Sequence, residues 1–433
     1  MIFIVVSTVS LLIWLVFGQR KLLSVSFINL LATLMFIVLG LQLNPYQDIG
    51  MTVLIGIGFY FFLVVGECFA RRIPISKEHF SRFGRMLTLN KNYSSIFTIL
   101  FVVISIMPVL IILTSGQSIG DLFTATWATN TTAATSEKLL ALTSHSATGL
   151  EALLKGVQTQ FQGFWYLSVG IVLTRKSRWF YPVLAVYIFG ALLSSGGFRS
   201  MLMFYLLLPV LLILPPSLKI PRFRTIILIG LLLIGMLLAL DWLRYGRQGD
   251  VAGGTIQERI ERTLRTDFAY GGLGLNLGLN NLPDSLDLGI NYLARTVILP
   301  IPRVLWPGKP TSNPNQELTE RATGKSYADY GNILLFTPLG EALFYFGYIG
   351  IIVIPLLYGF LTALLERLYS TSSAYRGLLV QVYLWSFLSM RLTFFNLFSS
   401  LIAANFILIC MLLFGSILSR SRRLPSFGYA QND

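Results

Sequence analysis

Arginines beside glycines or prolines, at the ends of long apolar runs, are the recurring chemical feature of this sequence. Ser194-Ser195-Gly196-Gly197-Phe198-Arg199 reads as a tight turn between two such runs, with Arg199 opening the second. Arg244-Tyr245-Gly246-Arg247, with Asp250 after it, stands where another run ends. The segment Ile301-Pro302-Arg303-Val304-Leu305-Trp306-Pro307-Gly308-Lys309-Pro310 is stiffened by three prolines, which hold Arg303 and Lys309 at a fixed separation. Arg295 lies a short way before Arg303, and Arg391 near the end of a later run. Gly340-Glu341-Ala342-Leu343-Phe344-Tyr345-Phe346-Gly347 sets one acid among small residues that permit close helix packing. Guanidinium groups pair bidentately with phosphate oxygens. Arginines gathered at a membrane boundary therefore suit an anionic lipid headgroup or a diphosphate. Plainer readings stand beside this one. Arg199 can snorkel to headgroups, Arg244 can join Tyr245 and Trp242 in an anchoring belt, and Glu341 can be a structural partner for an arginine.

Other chemistries find little footing. His79 and His145 have no partner at ligand spacing, Cys68 and Cys410 sit alone in apolar runs, and no Asp-x-Asp occurs. Asp284 and Asp287 read as turn caps, and Asn130-Thr131-Thr132 is a glycosylation sequon of low information. There is no nucleotide-binding loop and no nucleophile with a base beside it. We therefore expect no metal, no cofactor and no nucleic-acid partner.

The elements that must position these residues are membrane helices. Of 433 residues, 55% are hydrophobic and 12% charged, with mean hydropathy +0.70. A soluble chain carries roughly 25% charged residues, so a soluble enzyme, a disordered chain and a disulfide-stapled fold are all excluded. A crossing takes about 20 apolar residues. The whole chain reads as one all-α transmembrane domain of about eleven spans, within a range of about nine to thirteen. Their approximate cores are 1–17, 22–43, 50–70, 94–114, 161–174, 179–194, 199–215, 225–243, 336–362, 377–393 and 398–418. The first reads as a retained span, not a signal peptide.

Lys and Arg total 33 against 19 Asp and Glu, a net charge of +14. Much of that excess falls in alternate connections: Arg20-Lys21, Arg71-Arg72 through Lys91, Arg175 to Arg178, Lys219 to Arg224, Arg367 with Arg376, and Arg420 to Arg423. By the positive-inside rule that side is cytoplasmic, with the N-terminus outside and the C-terminus inside. Two long segments, 115–160 and 244–335, then face outward, and the second carries most of the candidate residues. Each holds a capping box, Thr148 to Glu151 and Thr255 to Glu258, opening an amphipathic helix; Gly271-Gly272 is expected to end the second.

The ordered set Gly-Gly-Phe-Arg199, Arg244-Tyr-Gly, Ile-Pro-Arg303-Val-Leu-Trp-Pro-Gly-Lys309-Pro and Gly-Glu341-Ala-Leu-Phe-Tyr-Phe-Gly resembles the oligosaccharide repeat-unit polymerases. These are the Wzy-type polymerases of O-antigen, enterobacterial common antigen and capsule. The likeness covers roughly 195–350 by motif and the whole chain by span layout. It implies a GT-C-like, inverting, metal-independent transferase of the bacterial inner membrane. Such an enzyme passes a glycan from undecaprenyl diphosphate onto the non-reducing end of another lipid-linked unit. Its partners would be the lipid-linked oligosaccharides, membrane lipids and, by family analogy, a chain-length-regulating co-polymerase. Arg199, Arg244 and Arg303 would meet the departing diphosphate, supported by Lys309, Arg295, Arg247 and Arg391. Glu341 or Asp250 would take the proton of the attacking hydroxyl. The alternatives are an O-antigen ligase with the same donor and a different acceptor, a lipid-linked oligosaccharide flippase, and a polymer-export scaffold.

Overall fold

A computed structural model describes residues 2–18, 24–44, 46–74, 77–114, 161–194, 270–298, 314–324 and 336–403, and in isolation 154, 157–158, 208–209, 211–212, 257–258 and 405. Among these residues there are helices and connections, and no strand. In chain order the helices are α1 (Ile2–Phe17), α2 (Val25–Leu43), α3 (Ile49–Arg72), α4 (Lys77–Leu89), α5 (Lys91–Thr114), α6 (Gln162–Thr174) and α7 (Phe180–Ser194). After them come α8 (Tyr270–Asn280), α9 (Asp287–Ile298), α10 (Pro314–Thr323), α11 (Thr337–Phe346), α12 (Gly350–Tyr369), α13 (Arg376–Ser389) and α14 (Phe394–Phe398).

Four helical stretches, α2, α3, α5 and the α11–α12 pair, are long and apolar enough to cross a membrane. Leu54, Val16 and Ile99 on three of the helices are 72%, 71% and 62% exposed. Side chains like these need a hydrocarbon solvent, so this is a membrane protein in class. The first six expected cores, and the ninth and tenth, fall on helices. The eighth, most of the eleventh and, apart from isolated positions, the seventh lie outside the described residues. So do the amphipathic helices expected after Thr148 and Thr255, apart from isolated positions.

The bundle is held by backbone-to-backbone approach. A Cβ on Gly66 of α3 would lie 2.1 Å from the carbonyl oxygen of Leu356, and one on Gly359 of α12 would lie 2.0 Å from that of Leu63. Only glycine at both positions lets the two helices meet, the small-residue packing expected where lipid supplies no hydrophobic drive.

Connections that the charge pattern groups together do meet at one end. Arg71 donates to the Phe17 carbonyl at the end of α1 (3.0 Å), and Arg175 to that of Thr88 near the end of α4 (2.8 Å). Arg367 donates to the carbonyls of Ala70 and Ile73 at the end of α3. These arginines satisfy carbonyls that a helix C-terminus leaves without partners, and they oppose the negative end of its dipole.

At the opposite end the structure departs from two expectations. The long ninth run is two helices, because Gly347 adopts φ +60 and breaks it. Gly350 then packs on Ala342, where a Cβ would lie 2.0 Å from the carbonyl oxygen, so α11 folds back beside the start of α12. All ten residues of α11 are buried. The second correction concerns Gly271-Gly272, which were expected to end a helix. They lie inside α8, where the absence of side chains lets it press on α2: a Cβ on Gly271 would meet the Phe36 carbonyl oxygen at 2.5 Å, and one on Gly272 that of Asn44 at 2.2 Å. On its other side Gly274 faces Gly340 of α11 backbone to backbone, at 2.6 Å by the same measure. Part of the 244–335 segment is thereby packed into the bundle between α2 and α11.

Candidate functional site

Three of the nine expected site residues, Glu341, Arg295 and Arg391, are described, and all three lie at this end of the bundle, away from the Arg71, Arg175 and Arg367 turns. Glu341 is fully buried in α11. Its Oε1 accepts from the Tyr292 hydroxyl of α9 at 2.5 Å and from the Phe395 N–H at 3.3 Å, while Oε2 accepts from the Phe394 N–H. The last two are first-turn N–H groups of α14, where Thr393 supplies the conventional side-chain cap through Asn396 N–H (3.2 Å). Glu341 therefore ties α9, α11 and α14 together, and both of its oxygens are engaged by the protein itself. Among the described residues its partners are a tyrosine and a helix start, not an arginine. Burial, followed by the adjacent Glu341 charge, holds the Tyr292 hydroxyl well above its ordinary pKa of 10, so it remains a donor. Arg391 opens the turn between α13 and α14, its N–H donating to the Leu388 carbonyl at 3.0 Å. Glu341 thus grips the helix that follows the Arg391 turn.

Arg295 lies in the last turn of α9, one turn beyond Tyr292 on the same face. It meets Glu317 of α10 with Nη1 to Oε2 at 2.5 Å. The other Glu317 oxygen takes Arg321 Nη2 at 2.9 Å, an i,i+4 pair along α10. Next to this triad is a cavity of about 90 Å³ lined by Leu288, Asn291, Tyr292 and Tyr345 as well as the three charged residues. A second, larger groove of about 360 Å³ shares Leu288 and Arg321 with it and runs past Asn281, Asp284 and Ser285. The Tyr292 and Tyr345 rings stack at 4.3 Å, giving the small cavity a firm floor above Glu341. Two guanidinium groups, an amide and a groove open to solvent are the makings of an anion site. Among the described residues, no group of three His, Cys, Asp or Glu side chains is placed to hold a metal ion.

Comparison with protein-family models, curated proteins and solved structures finds no match.

Arg199, Arg244, Arg247, Asp250, Arg303 and Lys309 lie outside the described residues. Asp287 starts α9 as a turn-forming residue should, exchanging hydrogen bonds with Ser285. Sequence reasoning passed over Arg321, Glu317 and Tyr292. The Glu317-x-x-x-Arg321 spacing behind Pro314 is a helix signal that points to the first two. Tyr292 carries no such local signal.

Two other buried acids, Glu67 and Glu366, also went unread, and both lie toward the opposite end. Glu67 accepts from Arg71 and from Asn29 Nδ2, each at 2.9 Å. Glu366 accepts from the Val25 N–H at the start of α2 (2.9 Å) and from the Tyr383 hydroxyl (3.2 Å). Like Glu341, Glu366 caps a distant helix from inside the bundle, so these acids serve architecture.

Proposed function

We propose that the chain is an oligosaccharide repeat-unit polymerase of the bacterial inner membrane, a GT-C-like protein of about eleven spans with its N-terminus outside and C-terminus in the cytoplasm. The observation that carries this reading is the ordered motif series ending in Arg199, Arg244, Arg303 with Lys309, and Glu341, all assigned to one membrane face. Its structural support is that the segment carrying Arg303 also builds the arginine-lined pocket of α9 and α10 at that end of the bundle.

In the proposed reaction a hydroxyl at the non-reducing end of one lipid-linked unit attacks the anomeric carbon of the donor glycan. The bond from that carbon to the diphosphate oxygen breaks with inversion, and undecaprenyl diphosphate leaves with the electron pair. Fixed guanidinium groups stabilise the charge developing on the diphosphate, where one lost donor costs about 10²–10³ in rate. The hydroxyl proton goes to a carboxylate. Because both Glu341 oxygens are engaged in holding helices, Asp250 is the better assignment of the two. Glycan gels test the proposal. Arg199→Ala and Arg303→Ala should each leave the protein in the membrane, abolish long chains and let single lipid-linked units accumulate. Full-length polymer from either variant removes that arginine from catalysis. A deletion strain with one repeat left on the final acceptor supports polymerase, and one with none makes the chain a ligase.

A further inference from the structure

The charged triad beside the small cavity has an arrangement that the motif series does not account for. Glu317 stands between two arginines and gives one oxygen to each. A carboxylate in that position occupies the place that an external anion bridging the same pair would take. With Glu317 in place, the three groups sum to one positive charge. With Glu317 turned away they present two, matching the two charges of a doubly substituted diphosphate. The space is already there, because the cavity of about 90 Å³ adjoins the pair and shares Arg321 with the larger groove. Access is also present. The Arg321 side chain is 51% exposed, while Arg295 and Glu317 are held further in, at 33% and 21%. The stacked Tyr292 and Tyr345 rings and the Glu341 bond beneath them keep the floor, and so the Arg295 turn, in position.

From this we infer that Arg295 and Arg321 form a phosphoryl-binding pair whose place is held by Glu317 until the diphosphate of a lipid-linked substrate displaces it. The inference rests on the proposed action on lipid diphosphates and adds Arg321 and Glu317 to that site as binding and gating residues. The internal carboxylate keeps two like charges together in the empty site and lowers affinity for weaker anions, since any incomer must displace it.

The test uses the purified full chain in phosphatidylcholine nanodiscs, titrated calorimetrically with inorganic pyrophosphate. Glu317→Gln preserves shape and removes the competing charge, so it should bind pyrophosphate about tenfold more tightly than wild type. Adding Arg321→Ala to that variant should reverse the gain, by about tenfold or more. Arg321 is half exposed, so its loss should leave the thermal midpoint unchanged. A parallel set in nanodiscs containing phosphatidylglycerol distinguishes the source of the phosphate. Tightening in phosphatidylcholine alone assigns the pair to a diphosphate. Selective retention of phosphatidylglycerol by Glu317→Gln, with pyrophosphate ignored, makes it a headgroup site and overturns the diphosphate assignment. No gain in either set overturns the pair altogether. These readouts are independent of polymer. Tighter pyrophosphate binding in a protein whose deletion leaves glycan length unchanged keeps the pair and removes the polymerase reading. Polymer that depends on Arg303, with pyrophosphate binding indifferent to Glu317, does the reverse.

Discussion

Replacing Glu341 separates a residue that organises the α9, α11 and α14 end of the bundle from one that moves protons. Its carboxylate receives three buried donors, the Tyr292 hydroxyl and the N–H groups of Phe394 and Phe395. A buried donor left without an acceptor costs about 1–3 kcal/mol. In Glu341→Ala the tyrosine can turn toward water in the cavity above it, but the two N–H groups have no such recourse. A loss of roughly 3–5 kcal/mol follows, at the upper end of what single substitutions do. Glu341→Gln keeps one oxygen and turns an NH₂ toward a donor, a cost of about 1–3 kcal/mol. Tyr292→Phe removes one buried hydrogen bond, about 0.5–1.5 kcal/mol. Because the two residues share that bond, their double mutant should fall short of additivity by about 1 kcal/mol. The assay is unfolding of the purified protein in detergent micelles, alongside glycan gels from cells expressing each variant. If the reasoning holds, Glu341→Gln is less stable and still makes long polymer in proportion to the folded protein present. Wild-type stability in Glu341→Gln, or strict additivity with Tyr292→Phe, refutes it. Normal stability with no polymer would instead make Glu341 the base.

Gly274→Ala should separate α8 from α11, because the added Cβ would lie 1.9 Å from the Phe336 carbonyl oxygen; the expected outcome is a clear fall in thermal midpoint, while Gly324→Ala, which meets no neighbour, changes stability only through its positive φ. Tyr292 should also leave a mark on the alkaline stability of the protein. Unfolded chain gives up the tyrosine proton near pH 10, whereas the buried hydroxyl retains it well beyond. The stabilisation is complete below pH 10 and is lost as pH rises above it, so Tyr292→Phe should flatten the fall by up to about 1.4 kcal/mol per pH unit. An unchanged slope would mean that the hydroxyl ionises as in the unfolded chain.

Much of the architecture was legible from hydropathy and charge alone. Apolar runs and alternating basic connections are local properties, and they sum along the chain without reference to what touches what. The helical membrane class, and the grouping at one end of the turns that hold Arg71, Arg175 and Arg367, follow from them. The break at Gly347 was not legible, because an uninterrupted apolar run reads alike whether it crosses once or folds back on itself. Nor was the work of Gly271-Gly272, since a glycine pair ends a helix or lets one pack closely depending on what lies opposite. The partners of Glu341 are 49, 53 and 54 residues away in the chain, and Arg295 meets Glu317 across 22. Residue types and spacing named Glu341 and Arg295 as candidates. Only the packing of α9, α10, α11 and α14 decided that Glu341 holds helices while Arg295 shares a carboxylate with Arg321, because a side chain's task is set by the donors and charges within a few ångströms of it.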